Sequence, residues 1–211
     1  MTTEISRDHI LEDLPEIAWI KSDELREKTI DAWVFALSRS SFNRVIDIPG
    51  EGSPDVFTLH TRMQDAHLRG VTRLAVKMAE EFENDFPGQV QIDHDILICG
   101  GLIHDIGKTW EFDPFNQQRW REHGDRYGEP SFRHSTYGVH VLLSVGMPEE
   151  IAHISIGHAL EGKFIGLSTE CWIIHQADHS YWHVAATLGL CKKETVGFAG
   201  PSLRIRNSQV G

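Results

Sequence analysis

Cysteine is scarce in this chain and poorly spaced for structural work. Cys99, Cys171 and Cys191 make an odd count with no C-x-x-C pair, which excludes a zinc ribbon and a disulfide framework. They read as buried free thiols in a reducing compartment. No apolar run approaches the ~18 residues that a membrane span needs, and the polar, acidic stretch Met1 to Asp8 does not resemble a secretory leader. The expected address is the cytoplasm, with no membrane partner. Basic side chains are outnumbered, 20 Lys and Arg against 31 Asp and Glu, giving a net charge of -11 with the histidines neutral. That balance repels phosphate backbones and acidic lipid, so nucleic acid is not an expected partner. Glycine-rich phosphate loops of the Walker or G-x-G-x-x-G type are missing, as are internal repeats and low-complexity tracts. Strand-type alternation is nearly absent, so the expected fold is all-α.

What is abundant is histidine, with 13 in 211 residues, enough chain for one domain with an arm. Residues 8–20 place Ile10, Leu11, Leu14, Ile17 and Ala18 at helical spacing, and Pro15 implies a kink or two half-helices. Ser22 then caps a stronger helix with Asp23 and Glu24 in its first turn and Ile30, Trp33, Val34 and Leu37 as its apolar stripe. Residues 1–59 read as an N-terminal helical arm ending in a loop over 40–59, in which nothing is expected to carry chemistry. Residues 60–190 form the helical core and 191–211 a tail, extended from Gly197 through Gly200, Pro201, Arg204 and Arg206.

In the core, residues 60–86 predict a long helix with Leu68, Val71, Ala75, Met78 and Phe82 on its buried face and His67 at the border. Asp93 caps a second helix running to Ile106, with Ile96, Leu97, Leu102 and Ile103 inward and Gly107 in the place of a left-handed cap. That helix delivers His104-Asp105 at its last turn. Adjacent residues on a helix point about 100° apart, so the pair can converge on one centre only where the backbone is ending. Residues 109–133 mix aromatics with arginines without clear periodicity and are expected to be a lid or specificity loop. His134 opens the next helix, with Gly138, Val141, Leu142 and Val145 below it and Gly146 closing it. Pro148 starts another, on which Ile151, Ile154 and His158 share a stripe. Ser168 begins the last core helix, which carries Cys171, Ile174, Asp178 and Ala185.

The ordered set His67, His104-Asp105, His134, His158 and Asp178 resembles the H…HD…H…H…D pattern of the HD-domain superfamily, over about residues 60–190. The local motifs that carry it are His67 followed by Val71 and Ala75, Leu102-Ile103-His104-Asp105-Ile106-Gly107-Lys108, His134 followed by Gly138 and Leu142, and Ala177-Asp178. The resemblance implies a helical bundle in which His67, His104, Asp105 and Asp178 hold one metal ion. Asp105 then bridges to a second, held by His134 and His158. An N/O ligand set suits Fe, Mn, Co, Ni or Zn and excludes a thiolate site. It further implies a hydrolase using a hydroxide bridged by the two metals on a small phosphorylated molecule, a phosphomonoester or nucleotide.

Asp105 and Lys108 are the catalytic candidates, and Lys108, Arg133 and His175 the candidate substrate contacts. Helix-terminal charge pairing for Lys108 and an orienting role for His175 are the alternatives. Glu161 and Lys163 could line the entrance. The same ligand pattern occurs in mixed-valence di-iron oxygenases that cleave C–C or C–P bonds. Those carry a tyrosine and a glutamate upstream of the first histidine, whereas the earliest tyrosine here is Tyr127. Hydrolysis of a non-phosphate bond is a further alternative, and the oligomeric state, a homo-oligomer included, stays open.

Overall fold

Five helices of this chain begin where a side-chain oxygen takes up backbone N–H groups that have no partner in the first turn. In the computed structural model, which describes residues 5–196, Ser6 accepts from His9 N ahead of α1 (Arg7–Asp13), and Ser22 from Leu25 N ahead of α2 (Asp23–Leu37). Asp93 accepts from the amides of Asp95 and Ile96 ahead of α4 (His94–Ile103), and Ser168 from Cys171 N ahead of α10 (Thr169–Thr187). Pro15 splits the first segment, leaving α1 and a 3-10 turn over Pro15–Trp19. The expected tail from Gly197 onward lies outside the described residues.

The core is a bundle of α3 (Gln64–Asp85), α4, α8 (His134–Ser144), α9 (Glu149–Gly157) and α10, with α4 at its centre. Val71, Ala75, Leu97, Ile154 and Ile174 fill the side shared by α3, α4, α9 and α10. On the other side, Leu14, Ile17, Trp33 and Leu37 of the arm join Leu102, Ile103, Val141 and Leu142 in one continuous cluster. Each fully buried aliphatic side chain contributes roughly 1.5–3 kcal/mol by leaving water, so the arm is built into the core. The Trp33 indole N–H donates to Leu102 O at 3.2 Å, which satisfies its polar atom inside that cluster. Among the described residues there is no strand, only isolated bridges at Pro49–Met63, Ser53–Val56 and Leu59–Cys191.

Four expectations need correction. The first long helix starts at Gln64, because residues 59–60 pair with the segment after α10. Leu59 bridges Cys191, and exposed His60 donates its backbone N–H to Leu190 O. Phe82 does not join the buried face. It is 50% exposed and stacks on Phe86, while Thr72 and Ala79 complete the inner stripe. Gly107 is right-handed, at φ -69. It is glycine because a Cβ there would lie 1.9 Å from His134 O, and Gly138 is equally crowded by Ser155 Oγ at 2.1 Å. These two small residues let the start of α8 press against the turn that carries the His-Asp pair.

Residues 109–133 are largely helical, forming α5 (Lys108–Glu111), α6 (Pro114–Glu122) and α7 (Gly124–Tyr127). Asp113 caps α6, with Pro114 at its first position. One or two turns are too few to show a stripe, so periodicity could not reveal them.

Candidate metal centre

His104 and Asp105 fall in the tight turn between α4 and α5, where consecutive side chains can face the same point. Around them the bundle places His67 from the first turns of α3, His134 at the start of α8, His158 at the end of α9 and Asp178 on α10. All four histidines and Asp105 are buried, and Asp178 is nearly so. The structure therefore brings together the whole expected ligand set from five helices and their ends.

The geometry divides it in two. Asp105 Oδ2 lies 3.1 Å from His67 Nε2 and 3.3 Å from His104 Nε2. Its other oxygen, Oδ1, lies 3.4 Å from His134 Nε2 and 3.5 Å from His158 Nε2. Asp178 Oδ1 joins the first group, 3.2 Å from His67 Nε2 and 3.9 Å from His104 Nε2. Atoms bound to one ion at ~2.1 Å stand roughly 3 Å apart, which is the spacing of each group.

The outer ring nitrogens fix which atom faces inward. His104 Nδ1–H donates to Gly101 O at 2.8 Å, His158 Nδ1–H to Ile154 O at 3.2 Å, and His134 Nδ1–H to the Glu111 carboxylate. With the proton held on Nδ1, each Nε2 presents a lone pair to the centre. His67 Nε2 and His104 Nε2 then face each other at 3.2 Å, and Asp178 Oδ1 is buried with no hydrogen-bond partner. His67 Nδ1 has no partner either, and two ring nitrogens facing each other beside an orphaned carboxylate oxygen, all buried, are what a cation between them would resolve. His67, His104, Asp105 and Asp178 could hold one divalent ion, and Asp105, His134 and His158 another.

Burial by itself would raise the Asp105 carboxyl, but the Lys108 ammonium and the His104 and His158 imidazoles override it and hold it well below the ordinary carboxylate range. The same contest lowers Asp178, where His67 overcomes burial, and Glu111, where His134 and Arg133 do. Burial also holds His179, beside Asp178, below the usual imidazole value.

A cavity of 190 Å³ opens onto the cluster, lined by Asp105, His134, His158 and Asp178 together with Arg133, His179 and His183. Its remaining wall includes Gly52, Ser53, Val56 and Phe57, so the loop over 40–59 does take part in the site, contrary to expectation. Of the three expected substrate contacts, Arg133 lines this cavity and Lys108 and His175 do not. The Lys108 side chain is 1% exposed, and its Nζ reaches Asp105 Oδ2 at 2.7 Å and the Glu51 carbonyl, behind the carboxylate. His175 Nδ1–H donates to His158 O at 2.6 Å and so holds the end of α9. Glu161 and Lys163 are not among the residues lining this cavity.

Three contributors escaped the sequence reading. Gln64 donates to Asp105 Oδ2 at 2.8 Å, Glu111 accepts from His134 N at 2.9 Å as well as from its ring, and Trp182 stacks on His67 with ring centroids 4.4 Å apart. Helical spacing signals two of them, because Gln64 stands three residues before His67 and Trp182 four after Asp178. Glu111 had only the weaker mark of an acid within an aromatic run.

The HD-domain family pattern matches residues 65–181 of this chain. Dihydroneopterin 2′,3′-cyclic phosphate phosphodiesterase of Methanocaldococcus jannaschii is similar to it, 30% identical over 169 residues that cover 76% of this chain and 64% of that enzyme. The chain thus spans somewhat less than two thirds of that relative's length. No solved structure matches.

Proposed function

The chain belongs to the HD-domain family, and from that premise we propose that it is a metal-dependent hydrolase of phosphate esters acting on a small phosphorylated molecule. The observation that carries this reading is the division of Asp105, whose two oxygens each face their own pair of imidazole Nε2 atoms. A carboxylate so placed could serve a divalent ion through each of its oxygens. Ions held there would supply Lewis acidity and a water of lowered pKa.

The chain's own residues do the rest. Lys108 and Gln64 fix the Asp105 carboxylate in its bridging orientation, which makes Lys108 a positioning residue acting through Asp105. Glu111 holds His134 in the tautomer that presents Nε2, and His175 anchors the backbone of His158. Arg133, half-buried against Glu111 and lining the cavity, is placed to bind a phosphoryl oxygen, with its guanidinium as donor. The cyclic phosphodiester named for the archaeal relative favours nucleotide-like diesters alongside phosphomonoesters as the substrate class.

The test is reconstitution with Mn, Co, Fe or Zn, followed by a screen across phosphomonoesters, linear diesters and 2′,3′-cyclic nucleotides. Metal-dependent phosphate or alcohol release is expected. Inert phosphoesters with iron-dependent O₂ consumption would instead place the protein with the oxygenases.

A further inference from the structure

The cavity of 190 Å³ over the cluster is smaller than the ~300–1,000 Å³ of sites that enclose a whole small molecule, so it suits the head group of a substrate. Its polar lining is one-sided. With the expected ligands Asp105, His134, His158 and Asp178 set aside, the polar side chains left in its wall among the described residues are Ser53, Arg133, His179, Trp182 and His183. Each of these can donate a hydrogen bond, and none is a carboxylate. Arg133 turns its Nε toward Glu111 Oε1 at 3.2 Å, which leaves the terminal nitrogens of its guanidinium as donors. A wall of donors suits a head group whose oxygens only accept, as those of an ionised phosphoryl group do.

Among these donors His183 stands apart. His175, His179 and His183 follow one another at four-residue intervals on α10 and form a row, with ring centroids 4.3 Å and then 6.1 Å apart. Their duties differ. His175 donates to His158 O, and His179 stands next to Asp178 and faces a neighbouring groove as well as this cavity. The His183 carbonyl accepts from Thr187 Oγ1, but among the described residues nothing hydrogen-bonds its ring. The ring is nonetheless held in place. Phe57, at a φ of 55 that residues with a side chain seldom adopt, sets its own ring 6.0 Å from that of His183 and stacks at 6.2 Å on Trp182. Trp182 in turn stacks on His67. The loop that carries Phe57 is tied to the centre where Lys108 donates to the Glu51 carbonyl. An aromatic packing chain thus seats an imidazole with no partner in the cavity wall, five residues beyond Asp178 on the same helix. Whatever its charge state, an imidazole keeps at least one ring N–H, so the donor is always present.

We propose that His183 is a substrate-binding residue of the centre and donates a ring N–H to a non-bridging oxygen of the phosphoryl group that Arg133 also holds. The assignment deepens the phosphoester-hydrolase reading and rests on it for the identity of the anion, but anion binding can be measured without turnover.

Inorganic phosphate is titrated by calorimetry into the metal-loaded chain and into its His183→Leu and His183→Gln variants. The position is exposed, so both variants should keep the wild-type melting temperature and metal content. The expected result is saturable binding that His183→Leu weakens about tenfold, while His183→Gln, whose amide can still donate, stays within about threefold of the wild type. With p-nitrophenyl phosphate, His183→Leu should raise KM by a similar factor and leave kcat near the wild-type value, because the oxygen is held alike in the ground and transition states. Absence of saturable phosphate binding by the wild type, unchanged affinity in His183→Leu, equal weakening in both variants, or loss of metal with the side chain each overturns the contact. Phosphate binding that follows the expected pattern in a protein that hydrolyses no phosphoester leaves the contact standing and refutes the hydrolase. Turnover of p-nitrophenyl phosphate with KM and phosphate affinity unchanged in His183→Leu does the reverse.

Discussion

Two buried charge clusters in this protein differ in how they are completed. At the arm, Glu16 is 2% exposed and receives the guanidinium groups of both Arg69 and Arg73, and nearby Asp13 takes Arg44 together with the Val45 amide. Every acceptor there meets a donor from the chain itself. At the centre, Lys108 and Gln64 supply donors to Asp105, yet His67 Nε2 faces His104 Nε2 and Asp178 Oδ1 has no partner. Acceptors exceed donors in a largely buried space. The first cluster fastens the arm to α3 and is complete without a ligand, whereas the second is balanced only by cations, and that imbalance is what marks it as functional.

The comparison can be broken most sharply at Asp105. Asp105→Ala removes the group shared by both halves of the centre and should abolish stoichiometric metal binding and metal-dependent turnover. Metal analysis after dialysis checks this, and a variant that retains both ions would undo the assignment. At the arm, the double substitution Arg69→Met and Arg73→Met strands the Glu16 carboxylate in the interior. It should cost about 3–5 kcal/mol in denaturant unfolding, with metal affinity unchanged because no ligand moves. Chelation probes the same contrast without mutation. With ions at about a hundred times their Kd, removal should lower unfolding free energy by about 2.7 kcal/mol for each ion bound, and the arm double variant should lose the same increment. Glu111→Gln keeps the shape of the site but weakens the acceptor on His134 Nδ1, and should reduce metal affinity at the second half by about 10–100-fold. An unchanged titration would remove Glu111 from the centre. The smallest effect is expected at the thiols. Burial pushes Cys99 and Cys171 up to about 12, so neither should react with iodoacetamide at pH 8 in the native protein, while both should react once it is unfolded.

Much of the fold could be read directly. Ser22 and Asp93 cap the helices they were expected to cap, and Ser168 caps the one it was expected to begin, because capping is a local hydrogen bond between residues three apart or fewer. The residues expected as ligands converge in the fold, each sitting at a helix end or on an inner stripe. The losses came where a position is fixed by something distant in sequence. Gly107 was read from its own helix as a left-handed cap, but its lack of a Cβ answers to His134 O. Glu111 and the turn over 51–57 carry no periodic signal, and their roles arise from His134, 23 residues away, and Lys108, 57 residues away. Phe82 satisfied the helical stripe yet is half exposed and stacks on Phe86, so the stripe continued past the residues that are buried.

From its sequence alone, the chain determined an all-helical fold and the identity and order of the residues able to ligate a metal, because caps, stripes and ligand chemistry are properties of short segments. Tertiary structure alone decided that the two oxygens of Asp105 face different histidine pairs, that Lys108 lies behind the carboxylate, and that a cavity opens onto the centre. Those depend on how separate helices pack within a few ångströms of one another, and no local pattern encodes that distance.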